Sequence, residues 1–438
     1  MKKVLVVSYY FPPAGGSAVQ RVLKFVKYLP ENGWEPVVLT AREGNYPLRD
    51  DSLSAEIPDH VRIFRTPAPD LYRMYGLMGK TLTPEVELSA LGDRDTGKTP
   101  AKKFALWIRS AFFIPDARVG WLPFALWKGL RLIRKENIDV IFTTSPPFTT
   151  ALVGGLLSLF SKRPWVSDYR DPWTQAYFYF PRPGVSKLFE EFLERRLLRK
   201  ADRIISINEK IVLRLKDKYR MPESDKWVVI PNGYDPEDFE RLSPSENDVY
   251  TVLYAGTVHA TMHPGPVLEA MAGLLARNPD LKGRMRLDVI GRVSPDTLGL
   301  FANPDFRSLV RLVPHMPHRQ CLQAMVNADL LLLLIPDTPC NELIVTGKIF
   351  EYLRSGRPVL CLSEQGDAAD IVRRTGSGFV VRPSDIEAIA SILRQGLRRR
   401  KAGKPMLSEP PDFRRVEEFD RRQNTRILAT ILDEVRHA

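Results

Sequence analysis

Short apolar runs alternate with longer helical patterns along the whole chain. The short runs are rich in Val, Ile and Leu, and the stretches between them have the spacing of amphipathic helices. This alternation predicts an α/β protein with two doubly wound, Rossmann-like parallel sheets connected by crossover helices. The predicted strands are residues 3–8, 36–40, 138–144, 164–168, 202–207 and 227–231 in a first series, and 250–256, 285–290, 309–313, 329–335, 357–362 and 377–381 in a second.

A polar segment, residues 232–249, separates the two series of strands. It is rich in Pro, Asp, Glu and Ser and has no apolar periodicity, which is typical of an interdomain linker. We therefore expect a first domain at 1–240, a second at 241–410 and a C-terminal helix at 411–438 that packs back toward the first domain. Ligands of doubly wound sheets bind at the carboxyl ends of the strands, so the predicted site is a central cleft that both domains face.

Composition and charge narrow the classes of protein. The 438 residues exceed one ordinary core, and the 44% hydrophobic and 26% charged fractions are those of a globular protein. A net charge of +12 favours an anionic partner, such as nucleic acid, a membrane surface or a phosphorylated ligand. The longest apolar runs, such as 151–160, are shorter than the roughly 20 residues that span a bilayer. Three cysteines without CxxC spacing, Cys321, Cys340 and Cys361, indicate reduced thiols in a cytoplasmic protein.

Two stretches of the first half could contact a ligand. The glycine-rich FPPAGGSAVQR follows the first strand, where Gly15 and Gly16 would allow close approach of the backbone; a plain turn is the alternative. The GxGxxG pattern is absent, which argues against NAD. At the end of the strand 164–168, DYRDPW places Asp168 and Asp171 either as cleft carboxylates or as members of a structural Asp–Arg pair.

The second half contains two strand ends with glycine and one charged helix. The strand ends are Gly256-Thr257 and Gly291-Arg292, where a base or a phosphate could lie against the backbone. In VTGKIFEYL, a helix that begins near Thr346 and Gly347 would direct amides and Lys348 at an anion, and Glu351 could accept two ribose hydroxyls. A solvated Lys–Glu pair is the alternative. We expect Glu351→Ala to weaken nucleotide binding and to leave the melting temperature nearly unchanged.

In this order along the chain, FPPAGGSAVQR, SDYRDPW, VIPNGYDPEDF, YAGT and GKIFEYLRSGRPVL resemble bacterial glycosyltransferases of family 4. The resemblance is weakest over 44–100 and implies the GT-B fold of two Rossmann-like domains. It also implies that Gly15 and Gly16 contact the donor phosphate or the acceptor. Lys348 would face the diphosphate and Glu351 would bind the ribose. The resemblance further implies a retaining reaction that requires no metal and no cofactor beyond the nucleotide sugar as substrate.

The sequence departs from the family pattern at two places. The family often has two glutamates separated by seven residues, but the position eight before Glu351 is Leu343, and Glu342 is out of register. The sugar contact therefore falls to Glu342 or to neighbouring backbone. A lysine that many members carry after the YAGT strand is absent. The candidates to replace it are His259, His263 and Arg292.

Residues 101–135 combine eight Lys or Arg with interleaved Trp and Phe. Basic and aromatic residues together favour the interface of an anionic bilayer, with burial against the first sheet as the alternative. We therefore expect peripheral contact with the inner face of the cytoplasmic membrane. No nucleic-acid motif is present, so nucleic acid is not an expected partner.

Together with these patterns, the resemblance to family 4 implies a glycosyltransferase of the hexosyltransferase type. Such an enzyme would move a sugar from a nucleotide-sugar donor to a glycan or lipid-linked acceptor of a cell-surface polysaccharide. The predicted catalytic residues are Asp168, Asp171 and Glu342. The predicted donor-binding residues are Gly15, Gly16, Gly256, Thr257, Arg292, Thr346, Gly347, Lys348 and Glu351. Two alternatives stay open: a nucleotide-sugar 2-epimerase of the same fold, and a non-enzymatic basic protein that binds membrane or nucleic acid.

Overall fold

The structure is a computed structural model of the chain. It describes residues 1–42, 46, 49–69, 113–175, 184–245, 247–314, 316–336, 338 and 341–437. The chain forms two compact units: Met1–Pro231 with Arg421–Ala438, and Asn232–Asp420. Within the described ranges, no helix has both the length and the apolar character of a membrane span.

The described residues of the two units form thirteen strands. They are β1 (Lys2–Val7), β2 (Trp34–Ala41), β3 (Arg62–Thr66), β4 (Val140–Ser145), β5 (Trp165–Tyr169), β6 (Arg203–Ser206), β7 (Trp227–Val229), β8 (Tyr250–Ala255), β9 (Met285–Ile290), β10 (Val310–Val313), β11 (Leu330–Leu334), β12 (Val359–Leu362) and β13 (Gly378–Val381). The strand pairs of both sheets are parallel.

Fourteen α-helices are described. They are α1 (Ser17–Tyr28), α2 (Leu122–Lys135), α3 (Thr149–Ser161), α4 (Gly184–Lys200), α5 (Glu209–Tyr219), α6 (Gly265–Arg277), α7 (Leu298–Ala302), α8 (Pro304–Arg307), α9 (His318–Asn327), α10 (Lys348–Ser355), α11 (Asp367–Arg374), α12 (Ile386–Lys401), α13 (Phe413–Glu417) and α14 (Arg421–His437). Most of them follow a strand and return the chain to the start of the next, as parallel pairing requires.

The first sheet has the order β3-β2-β1-β4-β5-β6-β7 and is covered on both faces. Leu5 and Val7 face a core that α2, α3, α4 and α5 complete. Val4 and Val6 face the opposite core, which contains α1 and α14. Because strand order reverses between β1 and β4, the carboxyl edge at that point is where such sheets bind ligands.

The second sheet repeats this plan in the order β10-β9-β8-β11-β12-β13, with the reversal between β8 and β11. Val252, Leu287 and Leu330 face a core that contains α6 and α12. Leu253 and Leu331 face the other core, which α9 and α10 complete. The carboxyl ends of β8, β9 and β11 therefore lie along one edge.

The predicted fold class is confirmed: all twelve predicted strands are present, and both sheets are parallel and doubly wound. One strand, β3, was not predicted and lies in the irregular stretch 44–100; residues 70–112 are outside the described ranges. The unit boundaries also differ from the predicted positions 240 and 411. Residues 232–240 are in the second unit because Tyr234 and Phe239 are buried in its core, and residues 411–420 are there because Val416 and Phe419 are buried in the same core.

Candidate functional site

The ends of β8 and β9 approach each other closely in the second unit. Gly291 has φ +135°, and a Cβ added there would lie 2.2 Å from the carbonyl oxygen of Gly256. Only glycine fits at this position, since any side chain would strike the neighbouring strand end. Thr257 and Arg292, which follow the two strands, are exposed. No described residue forms an ion pair or a side-chain hydrogen bond with Arg292, so its guanidinium can bind a ligand.

The first turn of α10 also carries polar groups at this edge. Gly347 precedes the helix with helical dihedrals, φ −58° and ψ −23°, and no side chain caps the first amides. The hydroxyl of Thr346 is buried and has no hydrogen-bond partner among the described residues. The β8 end is fixed beside this helix, because the amide of Ala255 donates to the hydroxyl of Tyr352 at 2.9 Å. An uncapped helix start with an unsatisfied hydroxyl suits an anionic group.

Glu351 lies at the centre of a charged triad. Its carboxylate accepts a hydrogen bond from the Nζ of Lys348 at 3.0 Å, and its other oxygen is 3.0 Å from Nε2 of His318, the first residue of α9. Burial alone would raise the pKa of Glu351, but the charges of Lys348 and His318 hold it below its ordinary value. Burial likewise opposes protonation of His318, yet the hydrogen bond and the charge of Glu351 raise the pKa of the imidazole. Glu351 is therefore a fixed anion.

Glu351 is buried, so the solvated-pair alternative does not describe it. Its burial also changes the expected effect of Glu351→Ala. Removing the carboxylate would leave two partly buried cations without their shared partner, which costs stability. Glu351→Ala should therefore lower the melting temperature as well as affect a ligand, contrary to the expectation from sequence.

Glu342 lies in a short 3-10 turn, Asn341–Leu343, at the same edge of the second sheet. Gly366, which precedes α11 with φ +119°, approaches it so closely that a Cβ there would lie 2.8 Å from the Cα of Glu342. Of the two candidate histidines, His259 is 3.1 Å from the hydroxyl of Thr261, and Nδ1 of His263 accepts from the amide of Gly265. Neither is joined to the triad by a described contact.

In the first unit, Gly15 and Gly16 lie between β1 and α1. Gly16 precedes the helix with φ +102°, a conformation that favours glycine, and a Cβ there would meet nothing within 4 Å. The glycine-rich loop is thus an open turn at the carboxyl edge of the first sheet. Its position allows a ligand contact and equally fits a strand-to-helix turn.

Asp168 is fully buried in the first unit and bound by the protein. Arg21 of α1 donates to both of its oxygens, at 3.0 and 2.9 Å, and the hydroxyl of Thr144 donates at 2.7 Å. Arg21 also donates to the carbonyl oxygens of Ile230 and Pro231. The prediction that Asp168 is a cleft-facing carboxylate is therefore corrected: Asp168 belongs to a structural Asp–Arg pair, and its partner is Arg21 and not Arg170.

Asp171, three residues further on, is partly exposed and accepts no described hydrogen bond. Burial raises the pKa of its carboxyl, the charge of Arg170 lowers it, and the charge of Asp168 raises it; the net direction is upward. Arg170 is itself occupied, since it donates to the carbonyl oxygens of Pro146 and Ala18. Of the two predicted carboxylates in this unit, Asp171 is the one that accepts no described hydrogen bond.

Two buried glutamates of α4 hold the loop that carries Asp171. Glu194 accepts from the hydroxyl of Tyr169 at 2.8 Å and from the backbone amide of Trp173 at 2.9 Å. Glu190 accepts from the indole of Trp173 at 3.2 Å. The burial and the charge of Glu194 raise the pKa of Tyr169 well above its usual value, so the phenol stays a donor.

Comparisons with known proteins agree with this fold. The sequence model of the family described as Glycosyltransferase Family 4 matches residues 85–238. Among solved structures, a glycosyltransferase from Rickettsia africae has 14% identity and a TM-score of 0.63, over 99% of this chain and 98% of that one. A sucrose-phosphate synthase from Thermosynechococcus elongatus has 15% identity and a TM-score of 0.65, over 99% of each chain. No curated protein sequence matches the chain.

The same fold also occurs in a different enzyme class. A protein assigned as a UDP-N-acetylglucosamine 2-epimerase, from Listeria monocytogenes, has 13% identity and a TM-score of 0.57, over 100% of this chain and 98% of that one. At these identities the structural similarity establishes the GT-B fold and not the activity. The family match and the fold together support a glycosyltransferase as the class of protein. The predicted resemblance to glycosyltransferase family 4 is thereby confirmed.

Sequence reasoning did not find His318 or Arg21. His318 begins α9 and meets Glu351 only because α9 and α10 pack against the same face of the second sheet. The sequence contains only a weak indication of Arg21, because it is the last residue of the candidate ligand-binding run FPPAGGSAVQR. Its partner is 147 positions away, which no local pattern reports.

Proposed function

We propose that the protein transfers a sugar from a nucleotide-sugar donor to a glycan or lipid-linked acceptor in the synthesis of a cell-surface polysaccharide. The observation that carries this proposal is the start of α10. There the Lys348–Glu351 pair follows Thr346, whose buried hydroxyl has no hydrogen-bond partner among the described residues. A nucleoside diphosphate presents both matching groups, an anionic diphosphate and a ribose with two vicinal hydroxyls.

The donor would bind along the carboxyl edge of the second sheet. Glu351, a fixed anion, accepts the ribose hydroxyls, and Lys348, Thr346 and the uncapped amides of α10 bind the diphosphate. The glycine backbone at Gly256 and Gly291 leaves room for the flat base. Each assignment uses a group that is exposed, unpartnered or already held in position.

The reaction breaks the bond between the anomeric carbon of the donor sugar and the diphosphate oxygen. The acceptor hydroxyl oxygen forms the new bond to that carbon, and its proton passes to the departing diphosphate. Negative charge grows on the departing diphosphate. Lys348, Arg292 and the α10 amides would stabilise that charge, which is why we propose that no metal is required. We also propose retention of configuration at the anomeric carbon, as the family resemblance implies, with Glu342 as the candidate sugar contact.

The first unit would bind the acceptor. Its glycine-rich turn at Gly15 and Gly16 is open, and Asp171 is a carboxylate of raised pKa that can accept a hydrogen bond from an acceptor hydroxyl. Asp168 has a structural part in this scheme, because it fixes α1 against β5. We propose that the protein works on the inner face of the cytoplasmic membrane, where lipid-linked acceptors are found.

A thermal-shift screen tests the donor site. The protein is titrated with UDP, GDP, ADP and CMP and with their sugars, in magnesium and in chelator. A shift with one nucleotide family that chelator does not change supports the proposal and identifies the base. No shift with any of them would refute the donor site and favour the basic-surface binder.

A second experiment separates transfer from epimerisation. The stabilising nucleotide sugar is incubated with the protein alone and then with glycan acceptors, and NMR follows the sugar protons. A glycosyltransferase leaves the donor unchanged until acceptor is added, and the anomeric coupling of the product reports retention or inversion. A donor that epimerises at carbon 2 without acceptor would establish the rival activity.

A further inference from the structure

Three helices of the first unit lie side by side over one face of its sheet. A Cβ added at Gly129 of α2 would lie 2.8 Å from the side chain of Leu157 in α3. A Cβ at Gly155 of α3 would lie 2.7 Å from Leu197 of α4. These close contacts hold α2, α3 and α4 in one layer, whose outward side we call the outer face.

The helix α4 presents apolar residues on the outer face. Its stripe has the spacing of one side of a helix and consists of Val185, Leu188, Phe189 and Phe192, which are 82%, 68%, 50% and 56% exposed. Its inward side instead carries the two buried glutamates that hold the Asp171 loop. An apolar stripe on the solvent side of a helix is typical of an interaction surface.

The helix α2 adds exposed aromatic residues to the outer face. Phe124 and Trp127 are 39% and 60% exposed, and the guanidinium of Arg131 lies 4.7 Å from the ring centroid of Trp127. Both belong to the segment 101–135 for which the sequence predicts membrane contact. Trp121 of that segment is buried in the core, which agrees with the alternative of burial against the first sheet. Residues 101–112 of the segment lie outside the described ranges.

The charge of this layer has one sign. Exposed basic residues follow or flank the apolar ones: Arg131, Arg134 and Lys135 on α2, and Lys187, Arg195 and Arg196 on α4. Neither α2 nor α3 contains an acidic residue. On α4, two glutamates are buried and Glu191 is bound to Lys218 at 3.0 Å. The three described helices therefore expose cations and apolar side chains without an exposed carboxylate.

We propose that the outer face of α2, α3 and α4 docks on an anionic phospholipid bilayer. Apolar side chains enter the boundary of the acyl chains while Lys and Arg meet the phosphates. A second copy of the chain would place like charges opposite each other, which opposes self-association. Nucleic acid would satisfy the cations and leave the Leu and Phe side chains in water. This inference does not depend on sugar transfer.

Co-sedimentation of the full chain with vesicles tests the proposal. Vesicles of equal parts phosphatidylcholine and phosphatidylglycerol should bind the protein, and phosphatidylcholine alone should bind it weakly. The double variant F189S/F192S should lower the partition constant for these vesicles by at least about tenfold, because two aromatic side chains no longer enter the bilayer. R195E/R196E should remove the preference for anionic lipid. Phe413→Ser, at a residue 43% exposed on the second unit, is the matched control and should bind normally.

Three results would overturn the assignment. The first is equal or absent binding to both kinds of vesicle, or binding that F189S/F192S does not change. The second is a lower melting temperature for F189S/F192S without lipid, which would mean that the stripe packs against another part of this chain. The third is a wild-type dimer in sedimentation that the variant dissociates, which would assign the face to a second copy.

Discussion

Replacing Asp168 by asparagine distinguishes a structural carboxylate from a catalytic one. In the wild type, Asp168 has no exposed surface and accepts two hydrogen bonds from Arg21 and one from Thr144. The asparagine side chain of the variant could accept through one oxygen only, and Arg21 would remain buried without an anion. Breaking a buried ion pair from one side costs about 3–5 kcal/mol.

The expected loss lies at the lower end of that range. Arg21 keeps its hydrogen bonds to the carbonyl oxygens of Ile230 and Pro231, so the guanidinium is not left unsatisfied. A loss of about 3 kcal/mol in the free energy of unfolding corresponds to a melting temperature about 6–12 °C lower for a unit of this size. Differential scanning calorimetry measures the shift directly.

Asp171→Asn is the matched control, since Asp171 is partly exposed and accepts no described hydrogen bond. It should melt close to the wild type and lose transfer activity. Asp168→Asn should instead melt at a lower temperature and keep its transfer activity when it is assayed well below that melting temperature. If Asp168→Asn melts with the wild type and still abolishes turnover, Asp168 acts in the reaction and the structural argument is refuted.

Three further predictions concern the second unit. Glu351→Gln should weaken nucleotide binding in calorimetry about tenfold to a hundredfold, since a hydrogen bond to a charged group contributes about 1.5–3 kcal/mol; unchanged affinity would exclude the ribose contact. Because the pKa of His318 is raised on folding, its stabilisation is complete below pH 6.5 and is lost as pH rises through the folded pKa. The melting temperatures of wild type and His318→Gln should therefore converge toward alkaline pH, and a constant difference would contradict the pairing. Gly291→Ala should cost at least about 1–3 kcal/mol in chemical denaturation from its positive φ, with more from the clash at Gly256. Gly273→Ala, in an open position of α6, is its control and should be neutral or stabilising by up to about 1 kcal/mol.

The strands were predictable from sequence because parallel sheets covered on both faces require apolar residues at nearly every position. β4, β8 and β11 are buried along their whole lengths. β3 escaped prediction because it lacks such a continuous apolar run. It is the edge strand of the first sheet, Arg62 and Arg65 interrupt its sequence RIFRT, and four of its five residues are only partly buried.

The candidate site was predictable only where its residues are neighbours in sequence. Lys348 and Glu351 are one helical turn apart, so their proximity follows from the helix itself. The contacts of Asp168 with Arg21 and of Glu351 with His318 join different elements and arise from packing. The sequence alternative was an Asp–Arg pair within DYRDPW, but Arg170, the arginine of that run, donates to backbone carbonyl groups.

The two units differ in how their charged groups are satisfied, and this difference has a measurable consequence. At the edge of the first sheet, Arg21 binds Asp168 and Arg170 binds the backbone. Of the two predicted carboxylates there, Asp171 is the one without a described hydrogen bond and could accept one from a hydroxyl. At the edge of the second sheet, Arg292 and the hydroxyl of Thr346 lack described partners. An anionic nucleotide should thus stabilise the second unit by mass action. In calorimetry, the nucleotide should raise the temperature of the unfolding transition that Asp168→Asn leaves unchanged, which is that of the second unit. A nucleotide that raised only the transition lowered by Asp168→Asn would place the donor in the first unit and overturn the assignment.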